Sequence, residues 1–292
     1  MNFTVLWWQK NIKSLTVLFI IIMIICYGLH IVSNLNSLVN QVDQLPMRTK
    51  PDVMAKKIAR LPRGAHLIIM KKHNDWVYVK RNDLFNHKQV GWVASWLVSD
   101  KHLQKLTSLS ESTIYLDSGH GGTDTGAISN DGQSFEKTYT LKVAKTIKEL
   151  LVPSGARVIM TRTTDTFVDL KPRANNSQKV KANVFISFHF DSSPTPNQAS
   201  GVTQYYYHQD NGSKKLASFV SKNLNHVGLP NRGIHKGNIL VLRDNSQPAI
   251  LLENGYMNND KDIKYIRSKK YRQQVSKDVV KGIRQYVNSI PQ

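Results

Sequence analysis

The chain has 292 residues, a single cysteine and a hydrophobic share of 40%, enough for a sizeable core. Its formal charge is +20, divided as +1 over residues 1–43 (2 basic, 1 acidic), +7 over 44–100 (11 and 4) and +12 over 101–292 (27 and 15). The lone Cys26 leaves no disulfide or thiolate metal site in the rest of the chain, and basic charge spread this evenly implies an anionic setting.

From Leu15 to Val32, LTVLFIIIMIICYGLHIV, no residue carries a formal charge. That is about the minimum length for a helix to cross a bilayer. Lys10 and Lys13 precede it, so the positive-inside bias makes residues 1–14 cytoplasmic and everything after Val32 external. Residues 15–32 are therefore expected to be a transmembrane anchor or signal. No small-x-small cleavage site follows closely, which favours a retained anchor. The expected location is the cell membrane, single-pass with an extracellular bulk, or the cell wall if the segment is cleaved. On that outer face nucleic acid is not an expected partner.

Residues 33–43 read as a polar stalk. From 44 to 100, short β-branched and aromatic runs (HLIIMKK, DWVYVKR, QVGWVASWLV) alternate with turn-forming stretches, a pattern of about five strands closing into a small barrel. The runs LPMRTKPDVMAKKIARLPRGAHLIIMKKHNDWVYVK and GWVASWLV resemble a bacterial SH3-like domain, which implies binding to cell-wall components. Trp76, Tyr78, Trp92 and Trp96 are candidates for a binding face, with Trp76 and Trp92 expected in the core.

Residues 101–111 read as a charged linker, after which the period changes. Strand-like runs at 113–117, 156–161, 183–190, 201–207 and 249–256 alternate with helical spacing. The helical sets are Leu141, Ala144, Ile147, Leu151; Leu216, Phe219, Val220, Leu224; and Val275, Val279, Ile283, Val287. Such alternation predicts an α/β layer structure with a twisted, largely parallel sheet over 112–292. Ligands of such sheets bind beyond the carboxyl ends of the strands.

Three chemistry-bearing residues fall at such ends: His120 after the first strand, His189 in NVFISFH, and Glu253 in AILLE. Glu136 stands where a helix begins. Two imidazoles and a carboxylate make a three-ligand zinc set with a fourth position left for water, and a second carboxylate is then available to move protons. Blander readings stand beside this one: a histidine after a strand is often a capping or buried residue, and Glu136 answers the helix macrodipole. Glu253 follows PAILL directly, where an unpaired carboxylate is costly.

The runs IYLDSGHGGTDTGAI, EKTYTLKVAKTIKELL, ARVIMTRTTDTFVDLKPRAN, ANVFISFHFDS, SGVTQYYY and NRGIHKGNILVLRDNSQPAILLENGYMNN together resemble the zinc-dependent N-acetylmuramoyl-L-alanine amidases of the autolysin and cell-division type, over residues 112–288. The resemblance implies that His120, Glu136 and His189 hold Zn2+ and that Glu253 is catalytic. It implies hydrolysis of the amide between the lactyl group of N-acetylmuramic acid and L-alanine of the stem peptide, in cell-wall turnover or cell separation. The implied partners are peptidoglycan and, through the basic surface, anionic wall polymers such as teichoic acids. No obligate protein partner is evident.

Arg162 and Arg173 match recurring family positions and are read as mainly structural. His235 is read as a surface or loop residue, His208 and His226 as solvated, and 205–207 as a strand with two buried rings. The chain departs from the family at Ser118, Asp191 and Asn254. Asp191 is expected to place negative charge near the metal, and Asn254 to perturb the neighbouring catalytic carboxylate. These two departures favour one rival reading, an inert wall-binding protein with an amidase-like domain. The other rival is a zinc peptidase cutting within the stem peptide.

Overall fold

A computed structural model describes residues 3–53, 55–81, 89–98, 100, 103 and 105–290. The chain divides into two compact units, residues 1–101 and 102–292.

The first unit opens with α1 (Phe3–Leu35), which contains the apolar run 15–32. Its described side chains from Val17 to Ile25 are exposed. The side chains of residues 1–10, 13 and 29–35 lie outside the described set, and among the described residues no helix is long and apolar enough to cross a membrane.

After α1 come β1 (Ser37–Val39), β2 (Leu45–Arg48), β3 (Lys57–Leu61), β4 (His66–His73), β5 (Trp76–Arg81), β6 (Val90–Ala94) and α2 (Ser95–Val98). The strands form one antiparallel sheet in the order β1-β4-β5-β6-β2-β3. Five of them fall in the segment expected to carry five. β1 lies inside the expected stalk, because Ser37–Val39 finds the edge of β4 free and pairs with it. The turn-forming stretch RNDLFNHK (81–88), between the runs DWVYVKR and QVGWVASWLV, lies from residue 82 on outside the described residues. Trp76 and Trp92 are buried as expected; Trp76 meets Trp96 edge-on at 5.4 Å, and Trp92 meets Tyr78 at 5.3 Å.

The second unit comprises β7 (Thr113–Ser118), α3 (Glu136–Leu151), β8 (Arg157–Met160), α4 (Leu170–Lys179), β9 (Val184–Asp191), β10 (Val202–Tyr206), α5 (Ser213–Asn223), β11 (Asn231–Lys236), α6 (Leu240–Arg243), β12 (Ala249–Tyr256), α7 (Asp262–Arg267) and α8 (Lys269–Asn288). Its sheet runs β11-β10-β12-β9-β7-β8. Every adjacent pair is parallel except β10 with β12, so the sheet is mixed. Leu109, in the expected linker, is buried in this unit's core.

Side-chain alternation divides the sheet into two faces. Val184, Ile186, Phe188 and Phe190 of β9, with Ile250 and Leu252 of β12, enter the large core, where Val143, Ala144 and Ile147 of α3, Leu216 and Val220 of α5, and Val275, Val279 and Ile283 of α8 meet them. Truncating a core ring such as Phe188 to alanine costs about 3–5 kcal/mol. Phe185, Ala249 and Leu251 turn the other way, into a smaller cluster with Tyr115 and with Val241 and Leu242 of α6. Continuing that second face along β9 and β12 brings His189 and Glu253 out where the apolar cover ends.

Within the expected helices, α3 buries Val143 where the spacing chose Leu141, which is half-buried. Of the three tyrosines at 205–207 only Tyr206 is buried, not two, and Tyr205 and Tyr207 are half-buried, because successive residues face opposite sides of the sheet. β11, α4 and α7 have no counterpart among the expected elements. Each is short or polar, and β11 (NRGIHK) lies at the sheet edge, where burial imposes little apolar pattern.

Candidate active site

At the end of β7 the chain enters the turn Gly119–Gly122, which two later arginines hold from beneath. Arg162 is 3% exposed and donates to the carbonyls of Ser118 (3.2 Å), Gly119 (3.0 Å) and Lys137 (2.8 Å). Arg173, 2% exposed, donates to the Ser118 carbonyl (2.8 Å), the His120 carbonyl (3.1 Å) and Asp117 Oδ1 (2.8 Å). Asp117 is itself fully buried and also accepts from Ser187 Oγ at 2.7 Å. Both arginines are thus structural, as expected.

His120 adopts φ +59°, the left-handed region, which costs a non-glycine residue roughly 1–2 kcal/mol. The arginine-held carbonyls and the mutual backbone bonds of Gly121 and Asp124 (2.9 and 3.1 Å) keep it there. Gly119 answers a different need. A Cβ on it would collide with the His189 imidazole, so only glycine lets the two histidines come together. Their rings lie 4.9 Å apart, nearly perpendicular.

Asp124 Oδ2 contacts His120 Nδ1 at 2.8 Å and directs Nε2 toward Glu136 Oε2, 3.0 Å away. His189 Nδ1 lies 2.8 Å from Glu136 Oε1. Glu136 is 3% exposed and heads α3; its Oε1 also accepts from the Phe190 amide (3.0 Å) and its Oε2 from the Ala127 amide (2.8 Å). Burial opposes charge on Glu136, but the hydrogen bonds and charges of His120 and His189 outweigh it and hold the carboxyl well below the usual carboxylate range. Burial likewise works against charge on His120, yet Glu136 and Asp124 raise its pKa. Burial also opposes charge on Asp124, and the Gly126 amide and His120 overcome it and lower its pKa.

One ligand atom from each of His120, Glu136 and His189 lies within 4.8 Å of the other two. The family resemblance implied these three as one ligand set, and the fold brings them together. Two imidazole nitrogens and an ionised carboxylate suit a zinc ion, with the histidine ring next to Asp124 fixed by a carboxylate behind it.

Glu253 pairs in register with His189 across β12 and β9. Its Oε2 is buried without a hydrogen-bond partner, and burial first, then the charges of Glu136 and Asp191, push its pKa well above the usual range. Asp191 therefore adds negative charge here, as expected. The Asn254 expectation is corrected: its amide donates to the His189 carbonyl at 3.1 Å, on the opposite face of β12, and it is not among the groups that shift Glu253. Ser118 is fully buried beneath the turn.

His235 is exposed on β11, with Nε2 3.0 Å from the Arg232 carbonyl. His226 is exposed, whereas His208 is half-buried and contacts the Arg243 carbonyl at 2.9 Å. Sequence reasoning missed Asp124, although DTG four residues after His120 placed a carboxylate within reach in a glycine-rich turn. It also passed over Tyr256, which is buried and hydrogen-bonded to Asp191, and Arg232, whose guanidinium lies 5.6 Å from the Tyr256 ring.

Residues 114–285 match the family described as N-acetylmuramoyl-L-alanine amidase. The chain is 35% identical to a probable cell wall amidase LytH of Staphylococcus saprophyticus over 294 residues, covering 96% of this chain and 97% of the relative. A probable cell wall amidase LytH of Staphylococcus aureus is 36% identical over 250 residues, 83% of this chain and 82% of the relative. Among solved structures, an N-acetylmuramoyl-L-alanine amidase from Clostridium difficile 630 superposes with a TM-score of 0.60 at 33% identity, covering 62% of this chain and 98% of the other. The catalytic domain of CwlV, an N-acetylmuramoyl-L-alanine amidase from Bacillus (Paenibacillus) polymyxa, gives 0.59 at 33% identity, covering 61% and 99%. With the family spanning more than half of its length and a relative aligned nearly end to end, the chain belongs to the N-acetylmuramoyl-L-alanine amidases.

Proposed function

We propose that the chain is a zinc-dependent peptidoglycan amidase that hydrolyses the bond between the lactyl carbonyl of N-acetylmuramic acid and L-alanine. The observation that carries this reading is the convergence of His120, Glu136 and His189 beside Glu253, whose buried Oε2 no donor satisfies. Zinc held by the three would polarise the scissile carbonyl and lower the pKa of water.

The protein's own part is acid–base chemistry and positioning. Glu253, whose pKa burial and the neighbouring charges of Glu136 and Asp191 raise well above the usual carboxylate range, takes a proton from water and returns it to the departing alanine nitrogen. Asp124 fixes the orientation of His120, and Arg162 and Arg173 hold the turn that presents it. Incubating purified peptidoglycan with the enzyme, with and without chelator, tests the reading. Stem peptides with a free L-alanine amine and glycan with free lactyl groups are expected only without chelator. Cuts inside the stem peptide would support a peptidase instead.

The first unit is read as a bacterial SH3-like wall-binding module and the segment 15–32 as a membrane anchor, with the catalytic unit outside the cell. The consecutive exposed apolar side chains from Val17 to Ile25 support the anchor, and the basic excess of 44–100 supports attraction to anionic wall polymers such as teichoic acids. Wall binding that is unchanged between low and high salt would contradict that attraction.

A further inference from the structure

Resting on the amidase reading, we propose that Arg232, framed by Tyr205 and Tyr256, forms a subsite on the β11 side of Glu253 for a carboxylate of the stem peptide. Register places the parts. His189, Glu253 and Thr203 stand side by side across β9, β12 and β10, and Tyr205 and His235 are paired one step further along the same face. Beyond the row on the other side, Tyr256 pairs with Asp191. Arg232, on the edge strand β11, stretches past Gly201, where an added Cβ would come within 3.3 Å of its Cγ, and lays its guanidinium over the Tyr256 ring at 5.6 Å.

The charges around the site make this arginine distinctive. Asp191 and, when ionised, Glu253 place negative charge near the reacting end, so a substrate carboxylate needs a cation set apart from it. Arg232 is exposed and has no ion-pair partner among the described residues, whereas Arg173, Arg243 and Arg267 are all paired with aspartates. A guanidinium fixed against an aromatic face keeps its fork of donors free for a carboxylate. His235 steadies the strand by meeting the Arg232 carbonyl, and Lys236, over the Tyr207 ring at 5.5 Å, adds positive potential on the same edge. The glycan side of the scissile amide is uncharged, so the carboxylate to be matched belongs to the peptide. Of the two sides of the substrate, the structure thus assigns the peptide to β11.

The test uses the full chain and two soluble N-acetylmuramoyl-L-alanyl peptides that differ only in a carboxylate or a carboxamide on the second residue. Wild type is expected to prefer the carboxylate peptide. Arg232→Gln is expected to lower the kcat/KM ratio of carboxylate over carboxamide about tenfold, acting through KM, and Arg232→Lys to restore part of it. An unchanged ratio in Arg232→Gln, or a loss only of binding to phosphate-bearing wall polymer, overturns the subsite. If wild type hydrolyses neither peptide, the amidase reading falls. Calorimetric binding of the same peptides then decides the subsite separately, with equal affinities for wild type and Arg232→Gln overturning it.

Discussion

Glu253 lies in register beside His189 on the adjacent parallel strand, and its Oε2 is buried with no hydrogen-bond donor. A carboxyl whose folded pKa is raised binds its proton more tightly in the folded state. Its ionisation then costs stability once pH exceeds the unfolded value of about 4.3, and the full cost is present above the folded pKa. Glu253→Gln is therefore expected to raise Tm of the chelator-treated protein near neutral pH but not near pH 4. The same change should leave zinc content intact and reduce kcat by about 10²–10⁴-fold. Calorimetry, metal analysis and product release check the three parts.

Asp191 gives a test in pH. Its charge is one of the groups that raise the Glu253 pKa. If Glu253 must be ionised to accept a proton, the acid limb of kcat/KM follows its titration. Asp191→Asn should then move that limb to lower pH, and a rate profile with no movement would detach Glu253 from the proton transfer.

Beneath the site, Arg173 and Asp117 are a buried ion pair at 2.8 Å. Removing only the arginine leaves a buried carboxylate with the Ser187 hydroxyl but no counter-charge, so Arg173→Met is expected to cost about 3–5 kcal/mol in denaturant unfolding. Arg173→Met combined with Asp117→Asn should cost less than the single change. An equal or larger loss would mean the arginine acts through its bonds to the His120 turn alone.

Gly119 separates packing from chemistry. Alanine there places a methyl against the His189 ring while leaving every donor atom in the sequence unchanged. Zinc affinity is expected to fall about 10–100-fold, the range seen when groups supporting metal ligands are altered. Competition with a chromogenic chelator measures it.

Much of this was legible in the sequence, for physical reasons that differ by element. Strands β7, β9 and β12 are apolar on both faces because helices cover both sides, so their runs stood out. His189 and Glu253 were found because each interrupts such a run at its carboxyl end. His120 announced itself through its glycines, yet the left-handed residue proved to be the histidine itself as well as its neighbours. Edge strand β11 and helix α4 stayed hidden because they bury few apolar groups. The role of Tyr256 and the partners of Arg162 and Arg173 depend on long-range contacts such as the 53-residue separation of Arg173 from His120, which no local pattern encodes, whereas Asp124 stood only four residues from His120 and was passed over. The role foreseen for Asn254 failed on the pleat: one residue after Glu253, it points to the opposite face.

The central claim is that three distant side chains jointly hold one divalent ion that the reaction needs. The most direct measurement is zinc content per chain, taken with lactyl–alanine cleavage, for wild type, His120→Ala and Glu136→Ala. The account predicts one zinc in wild type, with both metal and cleavage lost in each variant while the far-ultraviolet circular dichroism is retained. Full cleavage by metal-free protein, or zinc and cleavage kept in either variant, would contradict it.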